Sequence, residues 1–169
     1  MSSLIFIAVA VSARAQDAQL WQIYYDSTQH YWAKDWTKTV RLLELAERSA
    51  ISDLGLYHEN YLTILNDLGT AYWKAKAYSK AETALTNSLK LKSEVYPLND
   101  KEIILSISNL AGFYAEQGHW KKSRSLYNRI LSVDPSNIPA DLYVSAAQNL
   151  VSLYDMNQQA DSAENLLRR

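Results

Sequence analysis

The sequence predicts an all-α protein, a right-handed α-solenoid of about four stacked helix–turn–helix repeats. Three observations carry that prediction. Four Gly and three Pro in 169 residues leave too little turn chemistry for a sheet protein, which needs a turn every several residues. Apolar residues recur at i, i+3 and i+7, the stripe of an amphipathic helix. A pattern of large and small residues also returns about every 42 positions.

The chain opens on the apolar run Leu4 to Val11 (LIFIAVAV), followed by Ser12 and Ala13-Arg14-Ala15 ahead of Gln16. A short apolar run before a small-x-small motif has the layout of a secretory signal peptide, here with cleavage after Ala15. Residues 1–15 are therefore read as a signal and 16–169 as the solenoid. A buried N-terminal helix is the alternative, because Met1-Ser2-Ser3 brings no basic side chain. The run is far shorter than the roughly 20 residues that span a bilayer, so no permanent membrane anchor is expected. The mature chain would be exported to a periplasm or the medium, its net charge moving from −1 to −2 with the loss of Arg14.

From there the spacing predicts helices over 17–33, 36–52, 58–76, 78–95, 100–117, 120–132, 138–157 and 160–169. They pair into repeats at about 17–56, 57–98, 99–137 and 138–169. The turns inside pairs are short and polar: Lys74-Ala75-Lys76-Ala77, Glu116-Gln117-Gly118-His119 and Met156-Asn157-Gln158-Gln159. Gly118 suits a left-handed helix C-cap. Between pairs the punctuation is heavier, at Tyr96-Pro97-Leu98-Asn99-Asp100 and Val133-Asp134-Pro135-Ser136-Asn137. Each proline should end the helix before it, and Asp100 and Asn137 are the expected N-caps of the helices that follow. Leu166 and Leu167 close the last helix without a polar cap. That predicts either a longer protein or self-association through the C-terminal repeat.

Three segments align residue by residue. The first runs Leu65, Leu68, Gly69, Tyr72, then Tyr78, Ala81 and Leu85; the second Ile107, Leu110, Ala111, Tyr114, then Trp120, Ser123, Tyr127 and Pro135. The third runs Ala147, Leu150, Val151, Tyr154, then Ala160, Ala163 and Leu167. Tyr72 and Tyr114 are 42 residues apart, and Tyr114 and Tyr154 are 40 apart. Subtracting 42 from the first set gives a drifted copy at Ile23, Asp26, Ser27, His30, Trp36, Thr39 and Leu43. The small positions are where two helices approach closely. This pattern resembles the tetratricopeptide (TPR) repeat, W-x-x-L-G-x-x-Y followed by A-x-x-x-F and P. The longer period resembles its kinesin-light-chain-type variant, over roughly residues 19–169.

Composition excludes several chemistries. Seventeen Lys and Arg against eighteen Asp and Glu remove the basic footprint of a dedicated nucleic-acid binder. Without cysteine there is no disulfide framework, thiolate metal site or cysteine nucleophile. Four scattered glycines make no phosphate loop, and no G-x-S-x-G elbow is present. His30 stands in the place of Tyr72 and reads as packing; His58 begins a helix; His119 lies in a turn beside a Trp120 expected to be buried. None has a second ligand at helical spacing, so no metal, cofactor or catalytic residue is predicted and the protein is read as no enzyme. Glu44, Glu47, Asp53 and Glu59 read as solvated. The run His119-Trp120-Lys121-Lys122-x-Arg124 with Arg129 is the one local basic cluster, on a second helix expected to face outward.

Twelve Tyr and five Trp are many for this length. The excess is Trp21, Tyr24, Tyr25, Tyr31 and Trp32 on the first helix, expected to cap the end of the array and pack on helix two. An aromatic anchor for a ligand is the alternative.

The TPR resemblance implies that the first helix of each pair lines a concave groove for a peptide or partner helix. Helical spacing then places Thr63, Asn66, Asp67, Thr70, Trp73 and Lys74 of repeat two on the groove. Repeat three adds Leu105, Ser108, Asn109, Gly112 and Glu116, and repeat four adds Gln148, Asn149, Ser152, Asp155 and Met156. Amides both donate and accept, so this face can pair with a peptide backbone. Lys74 is the only basic residue there, which argues against a clamp for a partner's C-terminal carboxylate. The expected function is a non-catalytic protein-interaction scaffold for a peptide or partner segment. The alternative is the N-terminal sensor or docking region of a larger bacterial signalling or CHAT-type peptidase protein.

Overall fold

The computed structural model describes residues 18–156; the expected signal peptide and the expected helix over 160–169 lie outside them. The described residues are all helix and connection, with no strand. Helix α1 covers residues 18–32, followed by α2 (Trp36–Asp53), α3 (Glu59–Lys74), α4 (Tyr78–Val95), α5 (Lys101–Glu116) and α6 (Trp120–Leu131). A 3-10 turn, Pro135–Asn137, precedes α7 (Ala140–Met156). From the end of α1 to the start of α7, every bound falls within two residues of its sequence expectation. The chain forms two compact units that divide between Ala84 and Leu85, inside α4.

The caps follow from side-chain chemistry. Asp35 accepts the Lys38 N–H at 3.2 Å, the His58 Nδ1 accepts the Asn60 N–H at 3.2 Å, and Asp100 accepts the Glu102 N–H at 2.8 Å. Each satisfies one of the amides left open at a helix start. Asn137 is not the cap of α7. Asp134 instead caps the 3-10 turn through the Ser136 N–H at 2.9 Å, and Pro139 supplies the carbonyl on which α7 begins. Proline fixes its own φ and cannot donate, so the chain uses Pro135 to open the short turn and Pro139 to launch the helix.

The ends of α1, α3 and α5 share one geometry. Lys34, Lys76 and Gly118 have φ of 57°, 62° and 73° and stand 42 residues apart. In each, the next residue's N–H reaches back five positions: Asp35 to His30, Ala77 to Tyr72 and His119 to Tyr114, at 2.8–2.9 Å. These are Schellman caps, and only Gly118 has the residue that takes this conformation without a Cβ penalty. Lys76→Gly is therefore expected to stabilise the chain by roughly 0.5–1 kcal/mol, a relief of strain partly offset by the flexibility of glycine when unfolded. Thermal unfolding checks it; a Tm that falls would show that Lys76 sits there without strain.

In the first unit the second-helix stripe of α2 is Thr39, Leu43, Ala46 and Ala50, all buried. It packs on α3, whose buried set is far wider, Tyr61, Leu62, Ile64, Leu65, Asn66, Leu68, Gly69 and Ala71. On α1, Leu20 and Ser27 are buried; Ser27 holds the small position of Gly69 and Ala111, so the drifted repeat keeps its point of close approach. In the second unit α5 packs on α6 and α7, and α6 on α7. Its buried set is again wide, from Ile103 and Ile104 to Phe113 and Tyr114, whereas α6 buries only Ser123, Tyr127 and Ile130. Thr39, Ala81 and Ser123 are 42 residues apart and each 0% exposed. A larger side chain at this register would hold the paired helices apart. Tyr127 stands where Leu43 and Leu85 stand, and burial pushes its phenol up to about 12. Each fully buried Ile or Leu contributes about 1.5–3 kcal/mol of transfer free energy, which offsets the ordering of the repeat.

Candidate functional site

Packing leaves one side of α3 and of α5 uncovered. On α5 the residues outside the buried set are Leu105, Ser108, Asn109, Gly112 and Glu116 together with the helix start and Ala115. At 100° per residue they share one side of the helix. The same holds on α3 for Thr63, Asp67, Thr70, Trp73 and Lys74, with only Tyr72 lying elsewhere. These are the expected groove positions. Asn66 is an exception: it is 7% exposed, and its Oδ1 is buried without a hydrogen-bond partner. On α7, Gln148, Asn149, Ser152 and Asp155 are all exposed.

Local contacts order part of this strip in the first unit. The Tyr24 hydroxyl donates to Asp67 at 2.6 Å, joining α1 to α3. The Asn66 amide points to the other Asp67 oxygen at 3.5 Å, and the Thr70 hydroxyl donates to the Asn66 carbonyl at 3.2 Å. Burial, then the charge of Asp67, raises the Tyr31 phenol above its ordinary value. The Lys74 ammonium lies 4.1 Å from the centre of the Trp73 ring. In the second unit Ser152 donates to the Gln148 carbonyl at 3.0 Å, which leaves the side-chain amides of Gln148 and Asn149 on an exposed face.

Three expectations need correction. Glu44 and Glu47 are not simply solvated. Glu44 accepts the Tyr72 hydroxyl at 2.6 Å with Lys80 at 3.4 Å, and Glu47 accepts the Tyr61 hydroxyl at 3.4 Å. The Tyr72 hydrogen bond, then Lys80, holds the Glu44 carboxyl below its usual range against the opposing effect of burial. Both acids thus tie α2 to α3. Trp120 is half-buried rather than buried, because α6 presents only its Ser123, Tyr127 and Ile130 edge to the core. Of the aromatic group of α1, Tyr31 packs on helix two, its ring meeting Trp36 edge-on at 5.4 Å. Trp21, Tyr25 and Trp32 are 44%, 58% and 79% exposed.

That exposure reveals a part of the surface the sequence reading left out. Moving 42 residues back from Thr63, Asn66, Asp67, Thr70, Trp73 and Lys74 reaches Trp21, Tyr24, Tyr25, Thr28, Tyr31 and Trp32. The aromatic excess of α1 occupies the positions of the first repeat that correspond to the expected groove residues of the second. The subtraction that located Ser27 and Thr39 would have found it.

The basic run lies on α6 as expected, with Lys121, Lys122, Arg124 and Arg129 exposed. Lys122 sits 4.4 Å from the centre of the Tyr114 ring. Both side chains line an open pocket of about 450 Å³ with Leu110, Lys121, Ser125 and Leu126. Among the described residues, no group of three or more His, Asp or Glu could hold a metal ion, and no helix is long and apolar enough to cross a membrane.

The order of helix pairs, their 42-residue register and their capped turns can be set beside known structures. A crystal structure of kinesin-light-chain nearly identical TPR-like repeats from Podosopora anserina superposes with a TM-score of 0.80 at 17% identity, over 89% of this chain and 72% of that one. The fold is TPR-like. A substituted form of the same repeats gives a TM-score of 0.79 at 17% identity and the same coverage. BtubC (BKLC) from P. vanneervenii gives 0.80 at 16% identity, over 91% of this chain and 62% of that one. No protein-family model and no curated protein matches the sequence. At these identities the likeness speaks for the fold.

Proposed function

We propose that the chain is a non-catalytic scaffold that holds a peptide or partner segment on the inner-helix strips of its repeats. The observation that carries this is the strip itself. Helices α3 and α5 are buried over most of their circumference, and beyond the helix starts the one side left open carries the hydroxyls of Thr63, Thr70 and Ser108 and the amide of Asn109 beside three charged groups, Asp67, Lys74 and Glu116. In the second unit the amide positions repeat, with Asn109 on α5 and Asn149 on α7, 40 residues apart. Stacked amides can pair with a peptide backbone through both their donor and acceptor atoms. The TPR-like fold supports the same reading.

The test is affinity capture with the full chain as bait, from the periplasm or medium to which the expected leader would deliver it. A recovered chain that starts at Gln16 is the sign of that export. Asn109→Ala with Asn149→Ala is expected to weaken capture about tenfold, on the order of two net hydrogen bonds. Helical content should be unchanged, since neither residue is buried. Capture at wild-type strength would remove the amide strip as the docking surface.

A further inference from the structure

The aromatic strip of α1 extends the proposed docking surface and gives it a chemistry. Trp21, Tyr25 and Trp32 lie within about 40° of one another around the helix and over about 16 Å of its length. They are the exposed aromatics of α1, and residues 18–32 contain no Lys or Arg. Exposed indole and phenol rings present electron-rich faces, which attract ammonium and guanidinium groups. Next to Tyr24 stands the Asp67 carboxylate, which accepts the Tyr24 hydroxyl and the Asn66 amide on separate oxygens and, with about four acceptor sites, can take a further donor. Its neighbour Asn66 has a buried carbonyl oxygen that lacks a donor. Asp26, held by Gln22 at 2.8 Å, is the one carboxylate of residues 18–32 and lies about 100° or more around α1 from the three rings. The same register already shows the arrangement in use, because Lys74 of α3 rests on Trp73.

We propose that this face of the first unit docks a basic extended segment, with Arg or Lys side chains lying on Trp21, Tyr25 and Trp32 and reaching Asp67. The assignment rests on the scaffold reading and names the chemistry of its partner. A helix rises 1.5 Å per residue, so Trp21 and Tyr25 are about 6 Å apart along α1 and Tyr25 and Trp32 about 10 Å. An extended peptide advances about 3.3 Å per residue. Side chains of an extended segment alternate between its two faces, so basic residues at i, i+2 and i+4 share the side turned to α1; they span about 13 Å, and the length of the Arg side chain covers the rest. An acidic segment would meet Asp67 and Asp26 with no cation on α1 to receive it.

The experiment titrates the full chain with a capped glycine octapeptide carrying arginine at its second, fourth and sixth positions, read by isothermal titration calorimetry. Peptides with glutamate or with proline at those positions are run beside it. The arginine peptide should bind, with the other two at least tenfold weaker, and its affinity should fall as salt is raised. Trp21→Ala with Trp32→Ala should weaken it about tenfold, and Asp67→Asn severalfold, with unaltered circular dichroism. Asn109→Ala with Asn149→Ala should leave it unchanged. Absence of saturable binding overturns the proposal, as does equal affinity for the tryptophan double variant or an equally tight glutamate or proline peptide. Those results leave the scaffold reading standing if the asparagine pair still governs partner capture; unaltered capture by that pair removes the scaffold reading instead.

Discussion

Truncating Phe113 to alanine is expected to cost about 4 kcal/mol, within the range for a buried aromatic side chain whose cavity cannot close. Phe113 is 2% exposed on α5, a helix buried over most of its circumference by α6 and α7. With neighbours on several sides, no single helix can move in to fill the space without leaving another contact. The same register holds Ala71 in the repeat before, 0% exposed, and Leu153 in the repeat after, 3% exposed. The repeats thus share a position but not a volume. Ala71→Phe is accordingly expected to destabilise as well, by about 1–3 kcal/mol, through overpacking. Urea unfolding of both variants measures this as shifted midpoints. A loss below about 1 kcal/mol for Phe113→Ala would mean that the site relaxes as an exposed surface does.

Opposite costs at one register show what a repeat pattern encodes. The helices were legible because apolar periodicity and a small residue at each close approach are local signals, and Ser27, Gly69 and Ala111 all appear where they predict. The caps were half legible. Asp100 and Gly118 have side chains, or the lack of one, that suit a single role. Lys34 and Lys76 carry no such mark, although their 42-residue spacing from Gly118 does. Glu44 was misread because a carboxylate on an amphipathic helix looks solvated until the rotation of α2 against α3 brings Tyr72 to it. The exposure of the expected positions on α3, α5 and α7 was legible apart from Asn66, which is buried. On α1 the corresponding positions are aromatic, and hydrophobicity alone suggested the core. Periodicity states which residues share a side of a helix; which side another helix covers is settled by tertiary contacts.

Lys92 is the residue that periodicity would least predict, and its partner carries the second large effect. It stands 42 residues after Ala50, in a stripe that begins Ala81, Leu85 and Ser88, and is 1% exposed. Its ammonium meets the Glu102 carboxylate at 2.8 Å, from the end of α4 to the first turn of α5. Removing water from an ammonium is costly, and the carboxylate is what compensates it. Glu102→Ala is therefore expected to cost about 3 kcal/mol, the low end for a broken buried pair because the Glu102 side chain is itself 37% exposed. A small part of that loss comes from removing a negative charge at a helix start. Lys92→Met keeps the length of the side chain and removes the charge, so it should be neutral or stabilising despite deleting the same ion pair. In the double variant Lys92→Met with Glu102→Ala, most of the cost of Glu102→Ala should disappear, because no buried cation is left to compensate. The cycle separates the two explanations by sign. If Glu102→Ala costs no more than about 1 kcal/mol and Lys92→Met costs more, the pair behaves as a surface salt bridge whose value lies in the contact. If the costs fall in the opposite order, the carboxylate is needed because the lysine is buried.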